Sequence, residues 1–281
     1  MPTRDIENVD AKTVAGFGHE WSRFPQGADL PEPDLLAMFD DYFHIFPWTM
    51  LPRGSVGIDI GCGSGRWAAL VSPRVGHLYL IDPSEAVLNV ARKNLSACAN
   101  VTFHLASVAE LPVDDNSLDF AYSLGVLHHV PDTTGAINSI ARKLKPGAPF
   151  LVYLYYAFEN RSAWYRALWR ISDFVRRGIS HTSPGLQLAL SLIIAAVIYW
   201  PLARSAALFA PIGFPIESWP LAPYRHRSFY VMRTDAYDRF CTRLEKRFTR
   251  AEIETMLLQT GFRNIRFSDR VPYWCAVALK G

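Results

Sequence analysis

The fold turns on residues 55–82: Ser55-Val56-Gly57-Ile58-Asp59-Ile60-Gly61-Cys62-Gly63-Ser64-Gly65, then Arg66-Trp67-Ala68-Ala69-Leu70-Val71, then His77-Leu78-Tyr79-Leu80-Ile81-Asp82. The first apolar run is rich in β-branched residues and ends in alternating glycines, which predicts a strand over 55–60 followed by a tight turn. A helix is predicted over 66–71 and a second strand over 77–81, with Asp82 at its end, 17 residues after Gly65. Glycines in such a turn allow positive φ and let a ligand approach the backbone. An acidic residue at the next strand end can accept both hydroxyls of a ribose.

The same alternation continues outward. Residues 83–95 read as a helix with Asp82 as N-cap, 101–105 and 118–123 as strands, 133–144 as a helix, and 150–156 as an aromatic strand after the turn Lys145-Pro146-Gly147. A helix over 250–260, capped by Thr249 and stopped by Gly261, precedes strands at 264–268 and 274–279. Strands alternating with short helices predict an α/β fold with a doubly wound, mostly parallel sheet. About 90 residues interrupt it after the fifth strand, and an insertion that long in a compact domain is usually functional. The expected organisation is an N-terminal lid (1–50), a nucleoside-binding core (51–156), a cap (157–248), and a last helix with two strands completing a seven-stranded sheet (249–281).

Composition bounds this reading. The chain has 281 residues, half hydrophobic and a fifth charged, which excludes a disordered tail, a collagen-like fibre and a disulfide-stapled mini-protein. The net charge of +3 conceals a split: residues 1–150 carry 11 Lys+Arg against 17 Asp+Glu, and residues 151–281 carry 18 against 9. Most of the excess lies in 157–250, with 14 basic and 6 acidic residues. Cys62, Cys98, Cys241 and Cys275 show no metal or redox spacing, which suggests reduced thiols and a cytoplasmic protein, and the polar N-terminus does not resemble a secretory signal.

The spacing Gly61-x-Gly63-x-Gly65 separates two nucleoside cofactors. Dinucleotide sites carry G-x-G-x-x-G, and Arg66 stands where that third glycine would be, so an NAD-dependent oxidoreductase is disfavoured. The sequence instead resembles the class I S-adenosylmethionine (SAM) methyltransferases of the small-molecule branch, closely over 55–156 and loosely over 249–280. VGIDIGCGSG (56–65) resembles the family's first motif, LIDPSEAVLNVARKN (80–94) its second, and LASVAELPVDDNSLDFAYSLGVLHHVPD (105–132) its third and fourth. The resemblance implies SAM as cofactor and S-adenosylhomocysteine as product. It implies that Asp59, Gly61, Cys62, Gly63 and Gly65 line the methionine end, that Asp82 takes the ribose, and that Pro83, Ser107, Val108 and Leu124 flank the nucleoside. Relatives usually carry an Asp where Ser107 stands. An N-terminal segment folds over SAM in similar enzymes, which makes Phe17, His19 and Trp21 candidate lid residues.

A sulfonium methyl is already activated, so the protein mainly aligns an acceptor, excludes water and removes a proton. The proton-acceptor candidates are His128 and His129, with at most one of the adjacent pair facing the acceptor, and Tyr156 and Glu159 beyond the fifth strand. Metal-binding relatives use paired glutamates here, whereas Gly125 and His128 hold those places, so no metal is expected.

The cap combines Trp164, Trp169, Trp200 and Trp219 with Arg161, Arg166 and Arg170 and the apolar run 186–200. That run is shorter than a bilayer requires and is expected to be closed by Pro201 and Arg204. No RNA-binding module is visible, so nucleic acid is not an expected partner. The cap suits a hydrophobic or anionic, lipid-like small-molecule acceptor. Three readings of its apolar surface stay open: a buried or homodimer face, an acceptor pocket, or peripheral contact with a membrane. The expected activity is methyl transfer to that acceptor, on O, N or C; the alternative is a SAM-binding protein with another role.

Overall fold

The computed structural model describes residues 7–27, 29–213, 216 and 219–281. In chain order the elements begin with α1 (Ala11–Arg23), α2 (Glu32–Phe43), β1 (Val56–Ile60), α3 (Arg66–Val71), β2 (His77–Asp82) and α4 (Glu85–Asn94). There follow β3 (Val101–Leu105), β4 (Phe120–Leu124), α5 (Thr133–Lys143), β5 (Pro149–Tyr153), α6 (Ala163–Ile179), α7 (Pro184–Ile194), α8 (Trp200–Phe209) and α9 (Phe229–Cys241). The chain closes with α10 (Arg250–Gln259), β6 (Phe262–Phe267) and β7 (Cys275–Lys280).

Two compact units result. The first comprises residues 7–27, 36–157 and 244–281, the second residues 29–35 and 158–243. In the first unit all seven strands form one sheet in the order β3-β2-β1-β4-β5-β7-β6. β1 to β5 are parallel, and β7 enters antiparallel between β5 and β6. The doubly wound, mostly parallel seven-stranded sheet read from the alternating pattern is therefore present. Its central strands bury Ile58, Ile60, Leu80, Phe120, Tyr122 and Phe150 completely or nearly so, as a sheet covered on both faces requires. The strand order reverses between β2-β1 and β4-β5, which opens a crevice at the carboxyl ends of β1 and β4.

Three boundaries depart from expectation. Helix α4 is capped by Ser84, whose Oγ accepts the Val87 N–H at 3.4 Å, because the Asp82 carboxylate is engaged elsewhere. β5 ends at Tyr153, and the chain then pairs with the returning segment through an isolated Tyr156–Phe248 bridge. Pro201 does not close the apolar run: helix continues unbroken over Pro184–Ile212, 29 residues long. A π-turn over Ala195–Tyr199, with the Trp200 N–H reaching back to Ala195 O, accommodates the proline ring and its missing donor. By length and composition this helix could cross a membrane, and only 22% of its most apolar window is buried.

The second unit packs α9 against α7 and α6. The Asp173 carboxylate accepts from Arg176 Nε at 2.8 Å and Arg177 Nε at 3.0 Å, with Arg239 Nη1 at 3.9 Å. Burial works against its charge, but the three guanidiniums prevail and hold the carboxyl below its ordinary range. Arg176 also donates to Thr242 O at 2.8 Å, and Arg204 to the carbonyls of Arg225 and Arg227. Of the proline-spaced stretch 211–223, residues 214, 215, 217 and 218 lie outside the described residues.

Candidate functional site

The glycine loop links β1 to α3 with Gly61, Gly63 and Gly65 at φ +74°, +55° and +79°. A Cβ on Gly61 would sit 2.4 Å from Val126, and one on Gly65 2.7 Å from Leu95, so side chains are excluded by space as well as by backbone conformation. The N–H groups of Gly61 and Cys62 both donate to Ile81 O, which ties the loop to β2. The Cys62 side chain is buried, and burial pushes its thiol well above the ordinary range.

Asp82 ends β2 with its carboxylate fixed from two sides. Oδ2 accepts the Gly63 N–H at 3.3 Å and Oδ1 the Ser84 N–H at 3.0 Å. A carboxylate offers about four acceptor positions, so each oxygen keeps one for a further donor, the number that two vicinal hydroxyls need. Burial raises Asp82 to about 6, opposed by these two bonds. Asp59 lies deeper and accepts the Tyr122 hydroxyl at 2.9 Å. Burial raises Asp59 to about 8, Tyr122 and Arg66 lower it, and Asp82 raises it further. Ser64, also buried in the loop, has no hydrogen-bond partner for its hydroxyl. These donors and acceptors fit a ribose with a cationic tail.

The remaining nucleoside candidates line the same strand ends. Pro83 is half-buried beside Asp82, and Leu124 ends β4 just before Gly125 at φ +78°. Ser107 is buried and its Oγ accepts the Ala109 N–H at 3.1 Å, leaving one acceptor position; Val108 packs in the core.

Helix α1 starts on an Asp10 cap and packs along α4, where Gly18 allows close approach to Ser84. Phe17 meets the His129 ring edge-on at 5.0 Å, and Trp21 faces Gly63. His19 points to the exposed side. Arg66 joins this helix to the loop: Nη1 donates to Gln26 Oε1 at 2.8 Å, and the guanidinium lies 4.4 Å from the Trp67 ring and 5.7 Å from the Trp21 ring.

The two histidines have different chemistry. His128 is fully buried, its Nδ1 accepts the Tyr155 N–H at 3.3 Å, and its ring stacks on Tyr155 at 3.7 Å. Nε2 must therefore carry the proton, and burial, helped by His129 and Arg247, keeps the ring neutral. His129 pairs Nδ1 with Leu244 O at 2.6 Å. A carbonyl can only accept, so Nδ1 donates and the lone pair of the neutral ring stands on Nε2. Tyr156 contacts Tyr273 edge-on and accepts from Arg247 at its carbonyl. Glu159 is exposed and belongs to the second unit.

Thus the structure brings Asp59, the glycine loop, Asp82, Phe17, Trp21 and His129 together at the carboxyl ends of β1, β2 and β4. Sequence reasoning missed Tyr122, whose signal was a phenol hydroxyl beside Ser123 in the otherwise apolar run Phe120-Ala121-Tyr122-Ser123-Leu124. It also missed the Arg66–Gln26 latch, for which Gln26 gives no local signal.

A seven-stranded sheet of this order, with a reversed β7 and an acid-anchored glycine loop at its switch point, is the arrangement of the class I methyltransferase fold. Its residues 58–152 match the family described as methyltransferase domain. The chain is 31% identical to the ubiquinone biosynthesis O-methyltransferase of Hahella chejuensis over 166 residues, covering 56% of this chain and 65% of that one. It is 31% identical to the demethylmenaquinone methyltransferase of Staphylococcus epidermidis over 107 residues, covering 37% and 44%. The chain thus spans less than two thirds of the length of either relative. The Haemonchus contortus phosphoethanolamine N-methyltransferase 2, solved with S-adenosylhomocysteine, shares the fold at TM-score 0.50 and 19% identity, covering 92% of this chain and 44% of that one.

Proposed function

We propose that this protein transfers the methyl group of SAM to a small apolar acceptor of the quinone-precursor type, working at the cytoplasmic face of a membrane. The observation that carries the reading is the doubly anchored Asp82 beside the positive-φ glycine loop, with one acceptor position left on each oxygen. Quinone-related names among the relatives support the acceptor class.

SAM, when bound, supplies an electrophilic methyl on sulfur. Asp82 would hold the ribose hydroxyls, Asp59, bonded by the Tyr122 hydroxyl, would balance the cationic tail, and Pro83, Ser107, Val108 and Leu124 would flank the base. Phe17 and Trp21 shield the cleft from water. His129 accepts, on Nε2, the proton that an acceptor hydroxyl loses as the methyl arrives, while His128 and Tyr156 position the loop and the acceptor. Calorimetry with S-adenosylhomocysteine, followed by incubation of the enzyme and SAM with demethylated quinols, tests this. Binding together with a methylated product is expected; binding without turnover on any quinol would remove the acceptor class, and no binding would remove the whole reading.

A further inference from the structure

Helix α6 is turned inside out. Its inward face carries the buried Asp173 and Arg176, whereas its outward stripe is Trp164, Leu168, Ile171, Phe174 and Val175, all exposed, with Ile171 at 64% and Phe174 at 79%. A helix on a water-facing surface places its apolar stripe against the core. Here charge is held inside by the Asp173–Arg176 pair, with Arg177 reaching Asp173 from the exposed side, and the greasy face is left outward. In the same unit, the helix over Pro184–Ile212 presents Ile193, Val197, Leu208 and Ile212 to the outside, along roughly 43 Å at 1.5 Å per residue. Both helices thus leave apolar side chains exposed, surface of the kind that marks a binding face.

We propose that this surface is an in-plane anchor for an anionic lipid bilayer. Residues 157–250 carry 14 basic against 6 acidic side chains, and Arg170 and Arg177 flank the α6 stripe on its exposed side. Anionic headgroups complement that charge, whereas a second copy of the chain would bring two basic surfaces together. Exposed Trp164 and Trp200, the latter with Arg204 4.1 Å from its ring, are residues that settle at headgroup level. The long helix lies in the interface and does not cross it: α9 packs along α7 and bears Arg233, Asp235, Asp238 and Arg239, which a crossing would carry into hydrocarbon. The proposal deepens the reading of a membrane-dissolved acceptor, but its test needs neither cofactor nor acceptor.

The full-length protein is mixed with vesicles of phosphatidylcholine alone or with about a third phosphatidylglycerol, and bound protein is read by flotation. Strong binding to the anionic vesicles, weakened by salt, is expected. The double variant Ile171→Glu/Phe174→Glu should lose it by about tenfold or more while binding S-adenosylhomocysteine like the parent, because both side chains are exposed. Absence of wild-type binding, or binding untouched by the double variant, overturns the proposal. So does a dimer in light scattering that the double variant splits with vesicle binding unchanged, since the face would then belong to a second copy. Arg170→Glu, read by the same flotation, should weaken anionic binding selectively if the double variant fails to fold; equal binding to both vesicle types would count against the anchor.

Discussion

The Tyr122 hydroxyl donates to Asp59 Oδ2 across 2.9 Å from the position directly opposite on the neighbouring parallel strand. Both groups are buried, so desolvation holds the Asp59 carboxyl up and this bond opposes it.

Asp59 is raised to about 8 and Asp82 to about 6, against 3.8 for a free carboxyl. Between about pH 4 and 8 the native state therefore binds more protons than the unfolded chain, and stability falls as pH rises through that window. The thermal midpoint without cofactor should drop by several degrees from pH 5 to pH 8, and Asp59→Asn should flatten the drop. A cationic cofactor favours the carboxylate, so SAM affinity should rise over the same range. Tyr122→Phe, which removes a bond that favours ionisation, should move that rise to higher pH; a profile unchanged from wild type would deny Tyr122 this role.

Asp82→Ala removes a charged acceptor for two hydroxyls and frees the Gly63 and Ser84 N–H groups. Affinity for S-adenosylhomocysteine should fall by on the order of 100-fold or more in calorimetry. An Asp132→Ala variant, which removes only the α5 cap, should cost about 1 kcal/mol of stability and leave affinity intact.

Arg66→Ala breaks the tie between the loop and the segment after α1. Cleavage by trypsin at Arg23 should accelerate, and cofactor should dissociate about tenfold faster, a loss of about 1–2 kcal/mol. Unchanged proteolysis would mean that α1 is held by its packing on α4 alone.

His129→Gln should lower kcat by about 10²-fold or more with cofactor affinity nearly constant. His128→Gln disturbs a stacked, fully buried ring and should appear mainly as lost thermal stability. Equal kcat losses in the two variants would make both histidines structural.

What the sequence reveals tracks how local the cause is. Glycines at 61, 63 and 65 and the acid at 82 are legible because turn conformation and strand-end placement depend on neighbouring residues. The cap of α4 shifted from Asp82 to Ser84 because a distant loop N–H competes for the Asp82 carboxylate. Arg66 was readable only as a missing glycine; its partner Gln26 lies 40 residues away. For α6 the alternation of charged and aromatic residues was plain, but periodicity is symmetric and does not say which side turns inward. Pro201 misled for a related reason: its cost depends on whether the preceding turn widens, which neighbouring residue types do not dictate.

The antiparallel pairing of β5 with β7, in which Tyr153 meets Cys275, closes a loop holding residues 158–243, the greater part of the second unit. Closure entropy grows only as the logarithm of loop length, about 0.6 kcal/mol per doubling. The sheet is thus nearly indifferent to the size of what it encloses, and residues 158–243 could be exchanged, shortened or enlarged with little thermodynamic resistance. The cost falls on kinetics, because the sheet is completed by a long-range contact that forms late. Changes in the enclosed segment would therefore be limited by refolding speed before stability.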